Sequence, residues 1–281
     1  MSESPTPADS ESKKSSRAGR NLTAAIAVGL SLIALVIVSL FVVKSVFAFV
    51  VMVALTIAIF EISQAMRTAG INLQAIPVAV GGVAAMAVTY FADPTHTIVV
   101  FAVTVVAVFL CRLPGGQDGF VRDVSAGVFG LGYLFVMGSV VMLMLSADDG
   151  HWRVLAFIGC TVASDVGGYA AGVLFGKHPL APNISPKKSW EGLAGSVVGS
   201  SIVGVLIAVY GLDAAWWVGI ILGALCAIVG TLGDLCESLI KRDLGIKDMG
   251  SLLPGHGGIM DRLDSLVVVA PFAFIAMYAL I

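Results

Sequence analysis

Nine apolar runs, each bounded by a charge, a proline or a glycine cluster, limit what this chain can fold into. They cover residues 22–43, 45–62, 76–91, 97–110, 124–145, 154–175, 193–210, 214–235 and 263–281. Most approach the ~20 residues a helix needs to cross a bilayer. Hydrocarbon offers no water to backbone N–H and C=O groups, so each run must satisfy its own amides, as a helix does. With 58% hydrophobic residues and a mean hydropathy of +0.99, the expected fold is an all-α polytopic membrane protein. About nine transmembrane helices are expected, with a polar cavity facing the cytoplasm. Two runs (76–91 and 97–110) are short, and Lys44 alone divides the first two. If those two join as one tilted helix or a re-entrant pair, eight spans result.

Charge placement predicts orientation. Residues 1–20 are polar and rich in Ser and Pro, with Lys13, Lys14, Arg17 and Arg20 towards the end, and read as a disordered tail with a basic anchor. No small-residue cleavage site follows the first run, so it is expected to stay as a span. With nine spans and an inner N-terminus, 14 of the 16 Lys and Arg face the cytoplasm, against Lys44 and Arg153 outside. The expected organisation is therefore a tail over 1–20, transmembrane helices over 21–150 and a catalytic membrane region over 151–281. The membrane in question is expected to be a bacterial cytoplasmic one. Cys111, Cys160, Cys226 and Cys236 show no metal-ligand spacing and read as small core residues. No G-x-x-x-x-G-K-[ST] sequence occurs, which excludes a P-loop NTPase. Gly127-x-x-Gly130-x-Gly132 reads as helix packing.

Only 12% of the chain is charged, and much of that charge lies between Asp234 and Ser265. This stretch holds Asp234, Glu237, Asp243, Asp248, Asp261 and Asp264 beside Lys241, Arg242, Lys247, Arg262 and His256. Carboxylates bind hard divalent cations, and Lys and Arg bind phosphate oxygens, so this mixture suits a metal–polyphosphate site. Asp234, Glu237, Ser238 and Lys241 fall on one helix face. Glycines in the following turn, Gly257 and Gly258 among them, can take positive φ and bring N–H groups close to an anion. Asp261 and Asp264 lie one turn apart where the last run begins.

Two further segments carry polar chemistry. Asp165 interrupts an apolar run, at a cost of about 2.5–3.5 kcal/mol on insertion scales, and shares a helix face with Gly168, Tyr169 and Gly172. The segment 176–192 carries three prolines, which make it extended and stiff, and offers Ser185, Lys187 and Lys188 to phosphate. Ser189 is placed to cap the next helix. Glu61 and Arg67 read as anchors of helix ends, and Arg112, Asp118, Arg122 and Asp123 as a plain turn around Pro114-Gly115-Gly116.

Ser238-x-x-Lys241-Arg242, Lys247-Asp248 and His256-Gly257-Gly258-x-x-Asp261-Arg262-x-Asp264 together resemble the signature of the phosphatidate cytidylyltransferases, or CDP-diacylglycerol synthases. Ser185-Pro186-Lys187-Lys188-Ser189-x-Glu191-Gly192 is similar to a second element of that family. These motifs lie between residue 154 and the C-terminus; the first five runs match in hydropathy only. The resemblance implies transfer of CMP from CTP to phosphatidate, with Asp234 and Asp261 as ligands of Mg²⁺ and room for a second cation such as K⁺. Asp165, Lys241, Arg242, His256 and Asp264 would be catalytic. Ser185, Lys187, Lys188, Ser238, Lys247, Gly257, Gly258 and Arg262 would hold substrate. The implied partners are CTP, phosphatidate and the bilayer, with no nucleic acid; small-residue faces would permit a homodimer. A CTP-dependent polyprenol or lipid kinase, and a transporter using Asp165 and the acidic cluster, are the alternatives.

Overall fold

The computed structural model describes residues 29, 31, 33–250, 252 and 257–281. The expected basic tail, most of the first half of the first apolar run, and His256 lie outside the described residues.

Within the described residues, each apolar run coincides with helix. α1 (Ile33–Val42) ends at an extended Val43, and α2 (Lys44–Thr68) starts directly after it, so the lysine does mark a break. α3 (Ala75–Phe91) and α4 (Thr97–Arg112) follow. α5 (Phe120–Gly130) runs through a π-helical turn (Leu131–Val136) into α6 (Met137–Ser146), forming one continuous span. α7 (Gly150–Phe175), α8 (Trp190–Tyr210), α9 (Trp216–Asp243) and α10 (Met260–Leu280) complete the bundle. Among the described residues, seven helical segments are long and apolar enough to cross a membrane, and α1 and α3 are shorter apolar helices. The chain is thus a polytopic, all-helical integral membrane protein. The proline-rich 176–192 segment departs from helix, as its composition requires, and pairs β1 (Pro179–Ala181) antiparallel with β2 (Ser185–Ser189).

Two kinds of packing hold the helices. Around α2, α3, α5 and α6, large side chains fill the core: Phe47, Leu55, Ile59, Met86, Leu134, Phe135 and Met142 are all buried. Between α7, α8 and α9 the backbones themselves touch. A β-carbon on Gly167 would stand 2.5 Å from the Gly195 carbonyl oxygen, and one on Gly223 2.5 Å from that of Ser200. Small residues at these crossings let serines reach across: Ser196 Oγ donates to the Ser164 carbonyl at 2.7 Å, and Ser200 Oγ to that of Cys160 at 2.8 Å.

The turn between α4 and α5 is a closed ionic knot. Arg112 Nε donates to Asp123 at 2.9 Å, and its other nitrogens donate to the carbonyls of Gly116 and Asp118. Asp123 also accepts from the Asn72 backbone at 3.0 Å. Both charges are buried and hydrogen-bonded, which makes their burial tolerable.

Candidate active site

A cavity of about 670 Å³ opens where α7, the hairpin, α8, α9 and α10 meet. Asp165, Lys187, Lys188, Asp234 and Arg262 supply its charge, while Tyr169, Val173, Leu180 and Leu193 supply an apolar wall. The face predicted from the Asp165 repeat is the face that lines it: Asp165, Gly168, Tyr169 and Gly172 all border the cavity. A pocket with a charged floor and an apolar side suits an amphipathic ligand better than a free ion.

The hairpin is fixed at its base. Glu191 accepts from the backbone N–H groups of Lys177 (3.1 Å) and His178 (3.2 Å), and its other oxygen meets His178 Nδ1 at 2.6 Å. Ser189 caps α8 by accepting from the Gly192 N–H at 3.1 Å, as its position predicts. Lys188 is thereby directed onto α9, donating to the Thr231 carbonyl at 3.3 Å and pairing with Asp234 at 2.5 Å. Lys187 and Arg262 reach the cavity unpaired: among the described residues, neither forms an ion pair. Ser185 lies on the same strand as the two lysines but does not border the cavity.

Beside the cavity three acids converge. Carboxylate oxygens of Asp234, Glu237 and Asp264 lie within 4.8 Å of one another. Glu237 is 0% exposed, and among the described residues no amide or hydroxyl donates to it; its one cation there is Lys241, 2.5 Å from Oε2. Three carboxylates this close repel one another, and a buried anion short of donors is costly. A hard divalent cation with oxygen ligands relieves both penalties, so the residues fit a metal ion. Glu237 shares the helix face predicted from the sequence, but its burial and its meeting with Asp264 depend on how α10 packs on α9.

Asp261 has a different position from the one expected. It is 7% exposed, and each of its oxygens already takes two donors: Lys241 Nζ and the Met249 N–H at Oδ1, the Met249 and Gly258 N–H groups at Oδ2. It borders the acid trio through Lys241, which contacts both Glu237 and Asp261. The positive φ expected of the glycine turn is present at Gly257 (+80°), but the anion that meets the Gly258 N–H is Asp261 itself.

The remaining predicted residues surround this centre. α9 ends in a Schellman turn, with Gly245 at φ +69° and the Ile246 N–H returned to the Lys241 carbonyl at 2.9 Å. That turn leaves Arg242 and Lys247 exposed near the end of the same helix, and among the described residues neither forms an ion pair. Ser238 is half-buried on α9. Two residues outside the motifs also reach this region. Tyr133, on the π-helical turn, has a buried hydroxyl with no hydrogen-bond partner among the described residues and lies near Glu237, Asp264 and Asp234. Glu61 of α2 accepts from the first amides of α10.

Comparison with known proteins gives the family. The chain matches the model of the cytidylyltransferase family over residues 23–280. It is 42% identical over 277 residues to a phosphatidate cytidylyltransferase of Mycobacterium bovis, covering 94% of this chain and 90% of that one. A phosphatidate cytidylyltransferase of Mycobacterium leprae is 41% identical over 278 residues, 93% of this chain and 89% of its own length. One from Synechocystis is 50% identical over 123 residues, 43% of this chain and 41% of its own. The similarity therefore reaches well beyond the second half of the chain, where the recognisable motifs lie.

Proposed function

The chain belongs to the cytidylyltransferase family, and from that premise we propose that it transfers CMP from CTP to phosphatidate, releasing pyrophosphate and forming CDP-diacylglycerol. An oxygen of the lipid phosphate attacks the α-phosphorus of CTP. The bond from that phosphorus to the oxygen bridging the β-phosphate breaks, and pyrophosphate leaves with the electron pair. The attacking phosphate is already an anion, so no strong base is required. The obstacle is bringing two polyanions together and holding them in line.

The chain's own residues divide that work. Lys187, Lys188 and Arg262 border the cavity and neutralise phosphate there, and Lys241, Arg242 and Lys247 extend the positive field towards the departing pyrophosphate. Asp234, Glu237 and Asp264 would hold Mg²⁺, with Asp261 fixing the loop beside them and Asp165 adding acidic support at the cavity wall. When bound, the ion screens the phosphate oxygens and polarises the phosphorus under attack. A second cation such as K⁺, and contacts from Ser238, His256 and Gly257, complete the proposed substrate shell, with Ser185 supporting the strand that carries Lys187 and Lys188. The apolar wall of Tyr169, Val173, Leu180 and Leu193 takes the start of the acyl chains. Small-residue helix faces would also permit a homodimer. The positive-inside pattern supports a cavity that opens to the cytoplasmic side.

One observation carries this reading: charged residues from separate elements border a single cavity that also has an apolar wall. The test is purified protein incubated with phosphatidate, Mg²⁺ and CTP labelled at either the α- or the γ-phosphorus. Label from the α-position should appear in lipid, and a chelator should abolish it. Label entering lipid from the γ-position instead would assign a kinase.

A further inference from the structure

Glu61 belongs to α2, in the half of the chain without site motifs, yet its carboxylate sits at the start of α10. Oε1 accepts from the Ile259 N–H at 3.1 Å and Oε2 from the Met260 N–H at 2.8 Å, across 198 and 199 residues of sequence. The first amides of a helix have no partner inside it. Here Glu61 takes the amides of the N-cap Ile259 and of Met260, the first helical residue, while Asp261, within the helix, takes the Gly258 N–H just before them.

Glu61 is 8% exposed and, among the described residues, has no cation within ion-pair distance. A buried carboxylate without a cation depends on its hydrogen bonds and on the positive end of a helix, and α10 offers both. The surrounding backbone is shaped to this carboxylate. A β-carbon on Gly250 would lie 2.5 Å from Glu61 Oε1, and one on Gly258 2.5 Å from Oε2. Gly250 and Gly258, both in the connection between α9 and α10, therefore close on the same side chain. The next residues along α10 are Asp261, Arg262 and Asp264, which face the loop, the cavity and the acid trio in turn.

We propose that Glu61 is a positioning residue for the transfer reaction: it fixes the first turn of α10, and through it the placement of Arg262 and Asp264, from a helix that does not border the cavity. The proposal rests on the cytidylyltransferase reading for its reaction and on the hydrogen bonds above for its geometry. A displacement of about 1 Å in such a group is enough to cost a reaction on the order of 100-fold.

The test compares Glu61→Gln, which keeps the volume and one acceptor oxygen, with Gly250→Ala, which keeps the carboxylate and crowds it out of its seat. Both are measured as full-length protein in detergent for kcat, KM for CTP, melting temperature, and Mn²⁺ affinity by electron paramagnetic resonance. In each variant, kcat per folded molecule should fall by about tenfold or more, with a smaller change in KM, and Mn²⁺ should bind several-fold more weakly. Glu61→Asp, whose shorter arm falls short of the amides, should not restore either. Parental kcat and Mn²⁺ affinity in folded Gly250→Ala and Glu61→Gln, with only the melting temperature lowered, would overturn the proposal and leave Glu61 a purely structural cap. If Mn²⁺ affinity falls in the variants while the parent itself makes no CDP-lipid, Glu61 keeps its positioning role over the trio and the reaction assigned to the site is what fails.

Discussion

The two ends of this chain solve the packing problem differently. In α2–α6, glycines are pockets for side chains: Gly130 receives the end of Ile59, and Gly138 the end of Leu55. In α7–α9, glycines are points where one backbone lies on another, as at Gly167 against Gly195 and Gly223 against Ser200. Side-chain packing can readjust by a rotamer; backbone contact cannot. Charge follows the same division. The first region buries one acid–base knot, Arg112 with Asp123, in which every partner is supplied. The second gathers Asp234, Glu237 and Asp264 with too few donors to satisfy them. A closed pair stabilises the fold, whereas a cluster left incomplete by the protein is stabilised by something the protein binds.

The largest expected effects follow from that contrast. Asp264→Asn should lower CMP transfer by at least about 100-fold, the scale on which one charged group at a phosphoryl site acts, while relieving repulsion in the trio. Its melting temperature without metal should therefore hold or rise. Asp123→Asn should do the reverse. Breaking one partner from a buried pair costs about 3–5 kcal/mol, so stability should drop steeply while activity per folded molecule stays near parental. Melting curves in detergent beside the α-label assay separate the two. An Asp264→Asn protein that is destabilised yet active would remove the distinction.

Packing gives the next contrast. Gly223→Ala sets a methyl against the Ser200 carbonyl and the Ser201 α-carbon, which cannot move without shifting α8 against α9. Overpacking of this kind costs about 1–3 kcal/mol. Gly130→Ala meets only the terminal carbon of Ile59 and a methyl of Leu73, which can rotate away, so less than about 1 kcal/mol is expected. Equal losses of melting temperature would mean that the two regions are equally adaptable.

Much of the fold was readable because hydrocarbon leaves a long apolar run no alternative to helix. The runs, the break beside Lys44, the extended proline segment and the cap at Ser189 all follow from local chemistry. The cavity was legible in part: the face of Asp165, Gly168, Tyr169 and Gly172 is a helical repeat, and Lys187 with Lys188 forms a motif. What could not be read was how carboxylates of like appearance divide their work. Asp261 and Glu237 differ because one meets the amides of the loop that precedes α10 and the other meets none. That difference is set by where α10 packs on α9, and spacing alone does not encode it. Glu61 read as an anchor beside the first inner loop; that it lies within α2 and meets the start of α10, nearly two hundred residues away, was not legible.

Within the site, charge that is spent should differ from charge that is free. Lys188 is already paired with Asp234, whereas Lys187 faces the cavity without a partner. Lys187→Ala should therefore raise KM for CTP by about tenfold, close to the 1–2 kcal/mol of one charge-assisted hydrogen bond, with the melting temperature unchanged. Unchanged kinetic constants would return the hairpin to a topological role.

The smallest effect is expected at the opposite end of α7, where the same helix carries a charge pair with no part in the cavity. Arg153 Nε donates to Asp149 at 2.7 Å, one turn apart at the helix start, and this hydrogen bond holds the Asp149 carboxyl below its usual pKa. A carboxyl whose folded pKa is depressed adds stability above its unfolded value, and that stability is lost as pH falls through the folded one. Both side chains are partly exposed, so solvent screens the pair and its worth is below about 1 kcal/mol. Arg153→Ala should accordingly leave CMP transfer untouched and lower the melting temperature slightly at pH 7, with the difference from the parent vanishing as the pH falls through the depressed pKa of Asp149. A loss of activity in this variant would mean that α7 transmits events from its far end to Asp165, and the separation between a rigid site and a passive outer rim would no longer hold.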